Sequence, residues 1–217
     1  MVTAIDADSR MAGTLVLQAG GPFSENDELD RTLLQAVSAK RVVVLPTADA
    51  FEHPERLIAA AMAWGERLGV EVEAVMVLQR SDAMNQGMAD IVAQAHAVYL
   101  VGDQPLHLRS VLKDSPTWAA LVSMLDNGGL VVAVGGAASA LCDPMVDPRG
   151  GAFTLGLGLV RGAAVMTESD QWSHERLART LDLADKTVVE LPSGSAIIRR
   201  RGQWEMVGEA VVHGTLP

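Results

Sequence analysis

Short apolar runs rich in β-branched residues alternate along this chain with longer amphipathic stretches, and no other feature restricts the fold as much, because this is the pattern of βαβ units. Thr14–Leu17, Arg41–Leu45, Val70–Val77, His96–Val101 and Leu130–Val134 are predicted strands. Helical periodicity fills the intervals, including Leu106–Leu112 and Thr117–Asp126. The strand runs lack polar alternation, so both faces of a mostly parallel sheet are expected to lie under helices. The expectation is a three-layer α/β protein forming one domain over residues 1–217, with residues 1–12 as a flexible N-terminal tail.

The last third changes character. Ala163–Met166, Thr187–Leu191, Ala196–Arg200 and Trp204–Glu209 follow one another closely, with turn residues Pro192-Ser193-Gly194 and Arg201-Gly202-Gln203 between the last three. This segment reads as an antiparallel extension of the same sheet. The Pro- and Gly-rich stretch Asp143–Gly158 reads as a surface loop within that sheet.

Charge and composition narrow the partners. A net charge of −10 and a pI near 4.9 oppose binding to nucleic acid or to an anionic membrane, both of which need a basic field. The one cationic run, Arg199-Arg200-Arg201, reads as a hairpin tip. No apolar run approaches the roughly 20 residues of a transmembrane helix. The start MVTAIDADSRMAG has no signal-peptide pattern, and the single Cys142 suits a reducing cytoplasm. His53, His96, His107, His174 and His213 show no metal-binding spacing, and Gly20-Gly21 lacks the GxGxxG context of a dinucleotide site, so neither a metal nor a cofactor is expected.

In an open parallel sheet, ligands bind beyond the carboxyl ends of the strands. Four loops fall there: Gln18–Phe23, Pro46–Phe51, Gly102–Gln104 and Gly135–Ala138. The last is a strand, a sharp turn and a short helical stretch. Hydrolases place a Ser or Cys nucleophile on such a turn, beside backbone N–H groups that receive an oxyanion. Here the turn is Val134-Gly135-Gly136 and offers no side chain that could attack.

Several stretches, in this order and spacing over roughly residues 13–213, resemble the serine-peptidase family of cyanophycinase and α-aspartyl dipeptidase (dipeptidase E). They are Gly20-Gly21, Val44-Leu45-Pro46-Thr47-Ala48, Val101-Gly102-Asp103-Gln104 with Leu108, Asp143-Pro144-Met145 and Gly156-Leu157-Gly158-Leu159. The resemblance implies a flavodoxin-like, class I glutamine amidotransferase-like fold. It sets the family's GTSAGA elbow on Ala133-Val134-Gly135-Gly136-Ala137-Ala138, which puts Gly135 in the seat of the nucleophilic serine. The family's DQHF segment falls on Asp170-Gln171-Trp172-Ser173-His174, ahead of Arg176-Leu177. Trp172 takes the histidine's place unless a two-residue shift brings His174 into it. The acidic partner is implied between Met145 and Gly156, where this chain has Asp147. Gly102 resembles the second oxyanion donor beside Gly136, and Asp103 and Gln104 resemble pocket residues.

The resemblance thus implies a peptidase relative whose triad is degenerate and whose pocket persists for a small molecule or short peptide. An enzyme using water activated by His174, Asp103 or Asp147 is one alternative. A homodimer formed through Trp172 and the apolar last third is another. Ser139, one turn past the elbow, is expected to be back-bonded or to face the core, with its hydroxyl away from the turn. Cys142 is expected to be a buried, inert thiol.

Overall fold

The apolar runs pair into a seven-stranded central sheet in the computed structural model, which describes residues 11–217. In chain order the first part comprises β1 (Thr14–Gln18), α1 (Asp27–Ala36), β2 (Arg41–Leu45), α2 (Pro54–Leu68), β3 (Glu71–Ala74), α3 (Arg80–Ala83), α4 (Gln86–Ala93) and β4 (Ala97–Val101). It continues with α5 (Pro105–Leu112), α6 (Pro116–Asp126), β5 (Leu130–Val134) and α7 (Gly136–Leu141). Four two-residue strands follow: β6 (Cys142–Asp143), β7 (Met145–Val146), β8 (Phe153–Thr154) and β9 (Val160–Arg161). The chain closes with β10 (Ala163–Thr167), α8 (His174–Asp182), β11 (Thr187–Leu191), β12 (Ala196–Arg200), β13 (Gln203–Val207) and β14 (Val211–His213).

The central sheet runs β13-β12-β1-β5-β4-β2-β3. The five strands from β1 to β3 in that row are parallel, and β12 and β13 extend it antiparallel beyond β1. Its two faces are both covered, as continuous apolar strands require. Leu15, Leu17, Val98, Leu100, Val131 and Ala133 pack with residues of α5, α6 and α7. On the other face, Val16, Val42, Tyr99 and Val132 meet Leu33 and Leu34 of α1 and Ile58, Ala61 and Trp64 of α2. Each such aliphatic side chain contributes roughly 1.5–3 kcal/mol by leaving water.

Local signals end the elements. Ser115 Oγ accepts from Trp118 N at 3.1 Å ahead of Pro116, which opens α6. Asn85 and Ser173 cap α4 and α8 in the same way.

Three sequence expectations are corrected. β3 is shorter than Val70–Val77: Val75 N makes a last bond to Val44 O of β2 at 3.0 Å, after which the chain leaves the ladder, and Val77 is buried by packing instead. β10 and β11 do not extend the central sheet. They pair parallel with each other, and β14 joins β11 antiparallel, in a separate three-stranded sheet. Asp143–Gly158 is not a simple surface loop: it holds β7 and β8, and Met145 and Leu157 are buried. Of the expected N-terminal tail, residues 1–10 lie outside the described residues, while Met11 packs onto the core.

Candidate functional site

Register places the site. Gln18 of β1 pairs with Val134 of β5, and Val134 pairs with Val101 of β4, so the three parallel strands end level. Their next residues, Ala19-Gly20, Gly135 and Gly102, therefore meet at one rim. Gly135 N donates to Gln18 O at 3.1 Å and Ala137 N to Gly102 O at 2.9 Å, which ties the three ends together.

Gly135 has φ 65° and ψ −137°, a combination nearly closed to residues with a Cβ. Hydrolases hold their nucleophile in this strained form on a strand-to-helix turn. The turn is thus an elbow in conformation as well as in sequence, and glycine occupies it without strain. A Cβ built on Gly135 would run into Asp103 Oδ1. That same oxygen accepts from Gly136 N at 3.2 Å. The amide next to the elbow, the natural donor to an oxyanion, is engaged by the protein's own carboxylate.

Two lobes of a cleft meet at Asp103, Glu168 and Gln171, with cavity volumes of about 370 and 390 Å³. The first is walled by Val146, Val165 and Trp172, and Ser139 and Arg176 also line it. The second is bounded by Gly102, Gly135, Glu25 and Asp49 together with the shared residues.

Glu168 was not singled out from the sequence. It follows β10 in the left-handed region at φ 48°, and its Oε1 accepts from Gly20 N at 2.8 Å. Burial pushes the Glu168 carboxyl above its ordinary pKa, against the lowering effect of the Gly20 N–H and the Thr167 side chain, and the Asp103 charge adds to the rise. Asp49 is raised likewise, first by burial and then by Asp103.

The other expected residues separate. Trp172 lines the first lobe: its Nε1 donates to Thr167 O at 3.1 Å, and the Arg176 guanidinium stacks 3.6 Å from its ring centroid. Indole offers no base, so it cannot do a histidine's work. His174 opens α8, is exposed and lines neither lobe. Asp147 is held by Arg149, with contacts of 2.6 and 2.9 Å to the guanidinium, and this pairing lowers its carboxyl to about 2. It too lies outside the lining of both lobes, as does Gln104, which precedes α5 without a side-chain cap bond.

Ser139 is buried, as expected of a core-facing serine, at 6% exposed. It is not bonded back along α7, since its Oγ has no hydrogen-bond partner among the described residues, and it also lines the first lobe. Cys142 is fully buried, which raises its thiol to about 12. Among the described residues, no group of three or more His, Cys, Asp or Glu is placed to hold a metal ion. No helix among them is long and apolar enough to cross a membrane.

No family model and no curated protein matches the chain. Solved structures do. A peptidase from an acI-B1 actinobacterium superposes with a TM-score of 0.82 at 25% identity, over 94% of this chain and 91% of that one. A protein assigned as a peptidase E in Listeria monocytogenes EGD-e superposes with a TM-score of 0.66 at 15% identity, over 94% of this chain and 98% of that one. With its mostly parallel sheet, its covered faces and its elbow after β5, the chain has the α/β fold of these peptidases.

Proposed function

We propose that this protein is a homologue of the dipeptidase E-type peptidases that keeps a ligand cleft at the elbow and lacks serine-peptidase activity. One observation carries the reading: Gly135 leaves the elbow without a nucleophile while Asp103 Oδ1 holds the Gly136 amide. Acyl transfer needs a nucleophile and free donors for the oxyanion. A carboxylate already on that donor would repel the developing charge. Trp172 in the histidine's place removes the base as well, and triad members act as a unit, so each loss makes the others less costly.

The test is hydrolysis of aspartyl dipeptides and of β-Asp-Arg by the purified chain, with no turnover above buffer expected. Robust turnover abolished by Ser139→Ala and by His174→Ala would overturn the reading. A general-base hydrolase using water is the second reading, and the raised Glu168 carboxyl where the lobes meet favours Glu168 as its base. Turnover lost in Glu168→Gln and kept in Ser139→Ala would select it.

A further inference from the structure

The cleft described above carries a charge arrangement that the loss of hydrolysis does not explain. Glu25, Asp49, Asp103 and Glu168 line the second lobe, and no basic residue is among the residues lining it. Asp103 and Glu168 also line the first lobe, whose other walls include the apolar Val146, Val165 and Trp172. Arg176 stands in the first lobe, stacked on Trp172 and donating to Pro148 O at 3.0 Å. The boundary between the lobes is therefore acidic and partly desolvated. Burial first, and then the Asp103 charge, disfavour the ionised forms of Glu168 and Asp49.

An acidic rim alone specifies nothing, but a second feature lies in the same lining. Ser139 lines the lobe that contains Asp103 and Glu168, is 6% exposed, and its Oγ has no hydrogen-bond partner among the described residues. A buried hydroxyl without a partner costs about 1–3 kcal/mol, so a group that bonds to it on binding recovers that loss. A hydroxyl can accept from an N–H donor, as the two carboxylates can.

We infer that the cleft binds an organic cation: a primary ammonium seated between Asp103 and Glu168, with an apolar body lying along Val146, Val165 and Trp172 and Ser139 within reach of its polar end. The ammonium supplies up to three N–H donors to the two carboxylates at the boundary, while Arg176, whose buried Nε has no hydrogen-bond partner among the described residues, stays stacked on Trp172. The apolar body excludes water and strengthens the ion pairs, since charge interactions grow as the local dielectric falls. An anion of the same size meets repulsion from Asp103 and Glu168 at the boundary, and Arg176 is the one basic residue lining either lobe.

This inference rests on the reading of a retained, non-hydrolysing cleft. Calorimetric titration of the full chain with pentylamine, pentanoate and pentanol, near neutral pH and at low salt, tests it. Pentylamine is expected to bind at least about tenfold more tightly than either analogue, and added salt is expected to weaken it. Asp103→Asn and Glu168→Gln should each weaken amine binding by about tenfold or more, while Glu190→Gln, a charge change at the remote Glu190–His213 pair, should not. Thermal melts of all variants establish that they are folded. Pentanoate or pentanol binding as well as the amine, amine binding insensitive to both substitutions, or no saturable amine binding would each overturn the inference. Dipeptide hydrolysis by a chain that still binds the amine would instead remove only the non-hydrolysing reading.

Discussion

Asp30 offers the sharpest test of the packing. It projects from α1 into the core between α2 and the sheet, is 3% exposed, and accepts from Trp64 Nε1 at 3.1 Å and Tyr99 OH at 3.0 Å. Gln18 reaches toward the same carboxyl, although its Nε2 makes no hydrogen bond. Burial outweighs these donors and pushes the Asp30 carboxyl from 3.8 up to about 7. The folded protein therefore keeps a proton that the unfolded chain releases, and the sign follows. The stabilising contribution is complete below pH 3.8 and is lost as pH rises to about 7. Across that interval, at about 1.4 kcal/mol per pH unit, the loss is about 4 kcal/mol. Asp30→Asn removes the titration: its carbonyl can still accept from Trp64, and its amide can donate to the Tyr99 oxygen. Urea unfolding of both proteins at a series of pH values from 4 to 8 isolates the effect, since their other groups are shared. The stability of Asp30→Asn relative to the parent should climb through that window and level off above about pH 7. Parallel stability profiles would show that burial does not perturb this carboxyl and would refute the reasoning.

Two further outcomes concern the site. Ser139→Ala should stabilise the ligand-free protein by about 1–2 kcal/mol in urea unfolding, because it deletes an unpartnered buried hydroxyl and favours helix; a loss of stability would mean that Oγ has an internal partner. Cys142 should resist alkylation by iodoacetamide in the native state at pH 8 and react fully on unfolding, its thiol being enclosed and raised to about 12; rapid native labelling would refute the burial.

Pattern in the sequence reaches as far as local chemistry does. Leu130–Val134 is legible because a continuous apolar run ending in two glycines can hardly be anything but a buried strand entering a sharp turn. Ala163–Met166 and Thr187–Leu191 are legible as strands, yet their separate sheet is not, since an apolar run says nothing about which edge it will join. Val70–Val77 overran for a related reason: Val77 is apolar for packing, not for the ladder. In the site, Gly135 and Trp172 were legible through alignment, and Asp103 through its place after β4. Glu168 was not, because its significance comes from a hydrogen bond to Gly20, 148 residues earlier, and from a left-handed backbone that its sequence neighbours do not announce.

The elbow itself is weak evidence that the cleft is used. Its shape is fixed by main-chain bonds from Gly135 to Gln18 and from Ala137 to Gly102, none of which needs a nucleophile. Replacing a strained residue there by glycine relieves about 1–3 kcal/mol, so the turn would persist with no function to hold it. Ser139 and the carboxylates behave oppositely. An unpartnered hydroxyl and the partly buried carboxyls of Glu168 and Asp49 both reduce the stability of the empty protein, and neither is required by the sheet or by α7. Features that a fold keeps although they weaken it are the ones that binding can account for. For that reason the inference of a bound ligand is anchored on Ser139 and on Glu168 beside Asp103, whereas the elbow bears only on the loss of hydrolysis.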